Sequence, residues 1–248
     1  MDRDYWSALA PDFERRVLQI ASADQDGTLD AIASTAGGRD KIAIDFGCGI
    51  GSSTRMLAPY FARTIGIDFS PELIERARQL EIKNGMEFRC RDLSRPKRLS
   101  PKADVAFAVN VLIQADPAIR RQILNNIVRN THRQGSVIIV VPSFESLLHV
   151  YHCLMRSAGG NVTRKAIENM DELVDAEVES LAGGIVRVGD QPTKLYTRDE
   201  LELTAIANRL EPISIEKVRY PWSEETDDAD MMETFAPPWD WVMVARKT

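Results

Sequence analysis

The chain has 248 residues, with 31 Lys and Arg against 37 Asp and Glu for a net charge of −6, and is 44% hydrophobic and 27% charged. That length accommodates one large or two small domains with a full core, and the composition excludes collagenous, coiled-coil and wholly disordered chains. The acidic balance argues against a polyanionic partner, because nucleic-acid binders need clustered positive charge to release phosphate counterions.

No segment reads as membrane-spanning. The most apolar run, Val137 to Val141, stops at Pro142, far short of the roughly 20 residues a bilayer requires. The opening Met1-Asp2-Arg3-Asp4 leads into no apolar stretch of signal-peptide type. Cys48, Cys90 and Cys153 are widely spaced with no CxxC pair, which suits reduced thiols in a cytoplasmic setting better than a disulfide framework or a zinc site.

In chain order, residues 1–40 form a helical extension, with a helix over Asp12 to Ile20 preceded by Tyr5-Trp6. Those aromatics either close over a ligand as a lid or pack on a sheet edge. Short apolar runs then alternate with segments of helical period. Lys41–Phe46 is a buried strand, followed by glycines and a helix near Ser52–Tyr60, and Thr64–Asp68 is a second strand. Ser70-Pro71-Glu72 supplies a cap hydroxyl, a preset proline and a first-turn acid for a helix running to about Glu81. Met86–Cys90, Asp104–Val109 and Ser136–Val141 are further strands, with Asp116-Pro117 capping the helix between the last two. Strands alternating with helices in this way build a parallel sheet covered on both faces.

The pattern changes after the fifth strand. Residues 143–192 read as a helical cap, through Phe144–Ser157 and Arg164–Leu181. Thr197-Arg198-Asp199-Glu200 is a capping box opening a helix that ends near Leu210. Ile213–Arg219 and Trp241–Ala245 are two last strands, joined without a helix by a loop carrying six acids between Glu224 and Glu233, and so expected to pair antiparallel at the sheet edge.

The chemically informative segment is Asp45-Phe46-Gly47-Cys48-Gly49-Ile50-Gly51. Three glycines fall where a strand must turn sharply into a helix. Glycine tolerates positive φ and lets a ligand lie against bare backbone, and the next helix offers free N–H groups. The third glycine comes one residue too early for the G-x-G-x-x-G dinucleotide fingerprint.

This segment resembles the first motif, (D/E)-x-G-x-G-x-G, of the class I S-adenosylmethionine-dependent methyltransferases, and the resemblance runs from about residue 41 to the end of the sequence. It implies a doubly wound α/β fold with a mostly parallel seven-stranded sheet and an antiparallel last strand. Here residues 41–142 and 193–248 would form the cofactor domain and 143–192 the inserted cap. It further implies that Gly47, Cys48, Gly49 and Gly51 line the methionine portion of S-adenosylmethionine, with Asp45 facing its ammonium directly or through water. Asp68 would receive both ribose hydroxyls and Phe69 would pack on the adenine. Asp92 would take the adenine amino hydrogen, with a Leu93 backbone N–H for the ring nitrogen. Asn110-Val111 would approach the methyl-bearing sulfur. Asp92 lies among Arg89, Arg91 and Arg95, so an exposed ion pair is its alternative role.

A proton acceptor is expected on the cap. Glu145 and His149 stand at i and i+4 on one helical face, and histidine titrates near neutrality; a packed helical histidine is the plain alternative. The basic residues Arg89 to Lys102 lack interleaved aromatics beyond Phe88, and no Asn/Asp-Pro-Pro-Tyr/Phe motif follows the fourth strand, where Asn110-Val111-Leu112-Ile113 stands instead. The expected function is therefore methyl transfer to the O, C or S atom of a small molecule, without nucleic acid, membrane or metal. An RNA or protein methyltransferase and a non-enzymatic S-adenosylmethionine or dinucleotide binder are the alternatives.

Overall fold

The computed structural model describes residues 3–80, 85–95, 98–157, 182–188 and 191–248. Strand β1 (Gly38–Phe46) lies in parallel between β2 (Phe61–Asp68) and β4 (Ala103–Val109). Outside them, β3 (Met86–Cys90) pairs in parallel with β2, and β5 (Thr131–Pro142) with β4. Strand β8 (Leu210–Arg219) forms one edge, and β9 (Trp239–Lys247) slots between β5 and β8, antiparallel to both. The seven-stranded order β3-β2-β1-β4-β5 is thus completed by β9 and β8, with the direction reversal falling on the last strand, as the resemblance implies.

Alternation along the strands divides the core in two. Ile44, Phe46, Ile65, Ile67, Val137, Ile139 and Trp241 pack with α7 (Pro117–Arg129) and α9 (Arg198–Ala207). Ala43, Val105, Phe107, Val140 and Val242 face the opposite way, onto Ile20, Leu29, Ala33 and Leu57. The latter come from the short helix α3 (Ile20–Ala23), from α4 (Thr28–Ala36) and from α5 (Ser52–Leu57). Each buried Val, Leu, Ile or Phe among these contributes about 1.5–3 kcal/mol. Asp45 and Asp240, spaced by two from Ala43 and Val242, share the second face.

The N-terminal segment departs from a single helix over Asp12–Ile20. It forms α1 (Arg3–Leu9), a 3₁₀ turn over Ala10–Asp12, α2 (Phe13–Arg16) and then α3, with Val17 extended at φ −126° between the last two. The helix expected to Tyr60 ends at Leu57 and tightens into a 3₁₀ turn over Ala58–Tyr60, where Pro59 has no N–H to donate. Helix α6 (Pro71–Gln79) starts on its Ser70 cap, whose Oγ accepts from the Leu73 N–H at 3.2 Å.

In the cap, α8 (Phe144–Ser157) has the expected bounds, while the helix expected over Arg164–Leu181 lies outside the described residues. Further along, where a helical cap is expected to residue 192, the described residues instead include β6 (Ile185–Val188) and β7 (Gln191–Lys194), paired antiparallel. The anchor of this pair is β7, where Lys194 N–H donates to the Ile113 carbonyl at 2.9 Å. The Lys194 ammonium is buried and reaches the Glu200 carboxylate at 2.6 Å. Thr197 caps α9 as expected, accepting from the Glu200 N–H at 3.2 Å; the Glu200 side chain, however, serves Lys194.

Candidate functional site at the carboxyl ends of the strands

The turn after β1 runs through left-handed backbone at Gly47, Gly49 and Gly51, with φ of 77°, 53° and 85°. The space a Cβ would need is taken. At Gly47 it would collide with Val111 Cγ2, and at Gly49 it would come to 3.0 Å of the Phe13 ring. Two buried carboxylates flank the turn. Asp68 ends β2, and its Oδ2 accepts from the Gly49 N–H at 3.0 Å while Oδ1 accepts from the Ser70 N–H at 2.9 Å. Each oxygen keeps a second lone pair for a hydroxyl donor. Asp45 Oδ2 accepts from the hydroxyls of Ser53 at 2.7 Å and Thr54 at 2.6 Å, on the first turn of α5. Its Oδ1 is buried with no partner. Burial pushes the Asp45 carboxyl up to about 6, with the Asp68 charge adding to the rise. Asp68 is likewise raised by burial, against the N–H groups that stabilise its ionised form. Two acids with an uncompensated acceptor atom make this turn a receptor for a cation and for hydroxyl donors.

The aromatics of the N-terminal segment settle over this turn and not on the sheet edge. Leu9, Ala10 and Phe13 pack with Ile50 and Leu73, joined by Tyr5 and Trp6, and the Ser7 and Ser70 hydroxyls meet at 3.0 Å. Cys48 is buried against Phe88, Ile74 and Ala77. At the far end, Asp92 Oδ1 accepts from the Ser94 N–H and hydroxyl, and Oδ2 pairs with Arg95 at 3.2 Å. Leu93 turns its side chain into the main core, and Phe69, half-buried, receives the Cys90 thiol on its carbonyl at 3.5 Å.

On the other side of the turn, Asn110 follows β4 with φ 52°, a conformation asparagine tolerates, and its N–H donates to the Val140 carbonyl at 2.9 Å. Its Nδ2 donates to Asp240 Oδ2 at 3.2 Å, leaving Asn110 Oδ1 buried and unpartnered. Asp240 is only 3% exposed. Burial holds its carboxyl at about 7, the Asn110 amide opposing the rise and the nearby Glu225 charge adding to it. Glu225, itself raised by burial, accepts from the Tyr220 hydroxyl at 2.6 Å. Asp240, Tyr220 and Glu225 escaped the sequence reading, as did the roles of Ser53 and Thr54. The available signal was an acid between Trp239 and Trp241 in an otherwise apolar strand, where a charge is costly unless used.

Glu145 and His149 share the face of α8 that spacing assigns them, and both are engaged there. Glu145 Oε1 accepts from the Arg198 N–H at 2.8 Å and Oε2 from Trp241 Nε1 at 3.0 Å. His149 packs against Trp222 and Trp239 with tilted rings, at 6.0 and 5.4 Å between ring centroids. Its Nε2 lies 2.8 Å from the Ala236 carbonyl, fixing the Nε2–H tautomer, and the Cys153 sulfur sits 3.6 Å away.

Residues 43–135 match the family model described as a methyltransferase domain. The fold matches that of an S-adenosylmethionine-dependent methyltransferase from Methanosarcina mazei, with a TM-score of 0.62 at 19% identity over 87% of this chain and 96% of that one. The chain has the fold of the class I methyltransferases, and its residues 43–135 are similar to their methyltransferase domain. Other methyltransferases of similar fold include one from Anabaena variabilis, with a TM-score of 0.67 at 17% identity over 99% of this chain and 93% of that one. Another is the magnesium protoporphyrin IX methyltransferase of Synechocystis, with a TM-score of 0.60 at 16% identity over 99% and 97% of the two chains. An uncharacterized methyltransferase of Schizosaccharomyces pombe is 27% identical over 152 residues, 60% of this chain, which thus spans 56% of that relative's length. Among the described residues, no helix is long and apolar enough to cross a membrane.

Proposed function

We propose that the chain binds S-adenosylmethionine and transfers its methyl group to a small-molecule acceptor, at O, C or S in preference to a base amine. The observation that carries the reading is the buried, unpartnered Oδ1 of Asp45 beside a bare glycine turn, with Asp68 one strand away. An α-ammonium supplies the missing donor at Asp45, directly or through water, and the spare lone pairs of Asp68 suit two ribose hydroxyls. Gly47, Cys48, Gly49 and Gly51 bound the methionine end, with Asn110 and Val111 beyond it. Phe69, Asp92 and the Leu93 N–H lie on the adenine side. When bound, the sulfonium supplies an electrophilic methyl and a neutral thioether leaving group. The chain's own work is then to orient the acceptor, exclude water and take up a proton.

The cap (143–192), the roof around Phe13 and the acidic loop select the acceptor. The residues after β4 lack the amine-methylation motif, and Arg89 and Arg95 of the basic cluster are paired with Glu87 and Asp92; both favour a small molecule over RNA. Three free cysteines suit a cytoplasmic setting.

Calorimetry with S-adenosylmethionine, S-adenosylhomocysteine and NADH tests the reading. The first two bind, NADH gives no heat, and Asp68→Ala abolishes both responses. Binding of NADH alone overturns it, and salt-dependent retention of bulk tRNA transfers the acceptor to RNA.

A further inference from the structure

We propose that Asp240, held in place by Asn110, is the carboxylate that faces the transferred methyl group and accepts the acceptor's proton. The inference rests on the S-adenosylmethionine reading above. It begins with the order of side chains along the carboxyl-end rim. Asp68 closes β2, Asp45 and Gly47 close β1, Asn110 closes β4, and Asp240 opens β9 opposite Pro142 at the end of β5. Val111 lies directly on Gly47, so its neighbour Asn110 adjoins the methionine end of the turn. Asp240 comes next along the rim, on the same sheet face as Asp45. With the ribose on Asp68 and the ammonium on Asp45, the side left for the methyl and its acceptor is that of Asn110 and Asp240.

The charged and titratable groups around Asp240 leave it without a cation. Glu225 adds negative charge and donates nothing, and Tyr220 turns its hydroxyl to Glu225. On β8, Lys217 lies 3.4 Å from the Trp239 ring centroid and Arg219 pairs with Asp26. Among the described residues Asp240 makes no ion pair. Together with the unpartnered Oδ1 of Asn110, it forms a buried acceptor-only site, suited to an X–H donor that becomes acidic as it is methylated. Glu145 and His149 already serve Trp241, Arg198 and Ala236. In the step, the acceptor atom X forms its bond to the methyl carbon as the carbon–sulfur bond breaks and its electron pair stays on sulfur. The X–H proton passes to Asp240, leaving neutral S-adenosylhomocysteine, methylated X and a protonated carboxyl.

Sinefungin carries an amine where the cofactor carries its methyl, and so probes this position without a known acceptor. Calorimetry should show sinefungin preferred over S-adenosylhomocysteine by at least tenfold at pH 8. The preference should shrink as pH falls through 7 and should vanish in Asp240→Asn, whose S-adenosylhomocysteine affinity stays within twofold. Contributions of Asp45 are common to both ligands and cancel in the ratio. If both ligands bind and the ratio ignores pH and Asp240→Asn, Asp240 does not face the methyl and the inference is overturned. If neither binds, the cofactor reading itself has failed.

Discussion

The Gly49 N–H donates to Asp68 Oδ2, so the turn that ends β1 is tied to the acid that ends β2. A single carboxylate thereby fixes the turn's shape and presents the lone pairs expected to meet a ribose. Asp68→Asn keeps the size but offers one accepting oxygen to two backbone donors, so one buried N–H is orphaned at a cost of about 1–3 kcal/mol. The expected outcome is a lower denaturant midpoint together with at least a tenfold loss of S-adenosylhomocysteine affinity. Unchanged affinity in a destabilised variant would limit Asp68 to a structural role.

The pH behaviour of Asp45 has opposite signs for folding and for binding. Its carboxyl sits at about 6 in the fold against 3.8 ordinarily, so its contribution to stability is complete below 3.8 and is lost as pH rises through 6. That loss amounts to about 3 kcal/mol at 1.36 kcal/mol per unit. Denaturant titrations from pH 4 to 8 should show the decline in the wild type and a flatter profile in Asp45→Asn. A bound ammonium favours the ionised form, so S-adenosylmethionine affinity should instead fall as pH drops below 6.

Gly47→Ala forces a side chain into left-handed backbone and into Val111 Cγ2. Strain and overpacking together should cost about 2–4 kcal/mol. The double variant with Val111→Ala should recover the steric share, a coupling readable by a double-mutant cycle of unfolding free energies.

His149→Ala removes a ring packed against Trp222 and Trp239. Lost aromatic contacts should lower stability by about 1–2 kcal/mol while the S-adenosylhomocysteine dissociation constant stays within twofold, both measurable on one preparation. A large affinity change with intact stability would return the residue to the site.

Much of the fold was legible because its signals are local. The strand Ser136–Val141 carries a short apolar run and Met86–Cys90 alternates apolar with charged residues, and the caps Ser70, Asp116 and Thr197 all accept the N–H groups their positions imply. The hairpin at Ile185–Lys194 was missed because its order comes from tertiary anchors, the Ile113 carbonyl and Glu200, absent from any local pattern. The candidate site divides the same way. Asp45, the glycines and Asp68 are announced by a motif, whereas Asp240 meets Asn110 only through the placement of β9, a relation no window of sequence contains.

Strand β9 fills a gap between two strands that are not otherwise joined, and Val242 pairs with Val140 of β5 far earlier in the chain. Non-local pairing of this kind is slow, because the loop between the strands must close before their contacts form. The contact of Asp240 with Asn110 therefore exists only where β9 has paired with β5, and a chain that possessed its glycine turn alone would still lack that side of the candidate site.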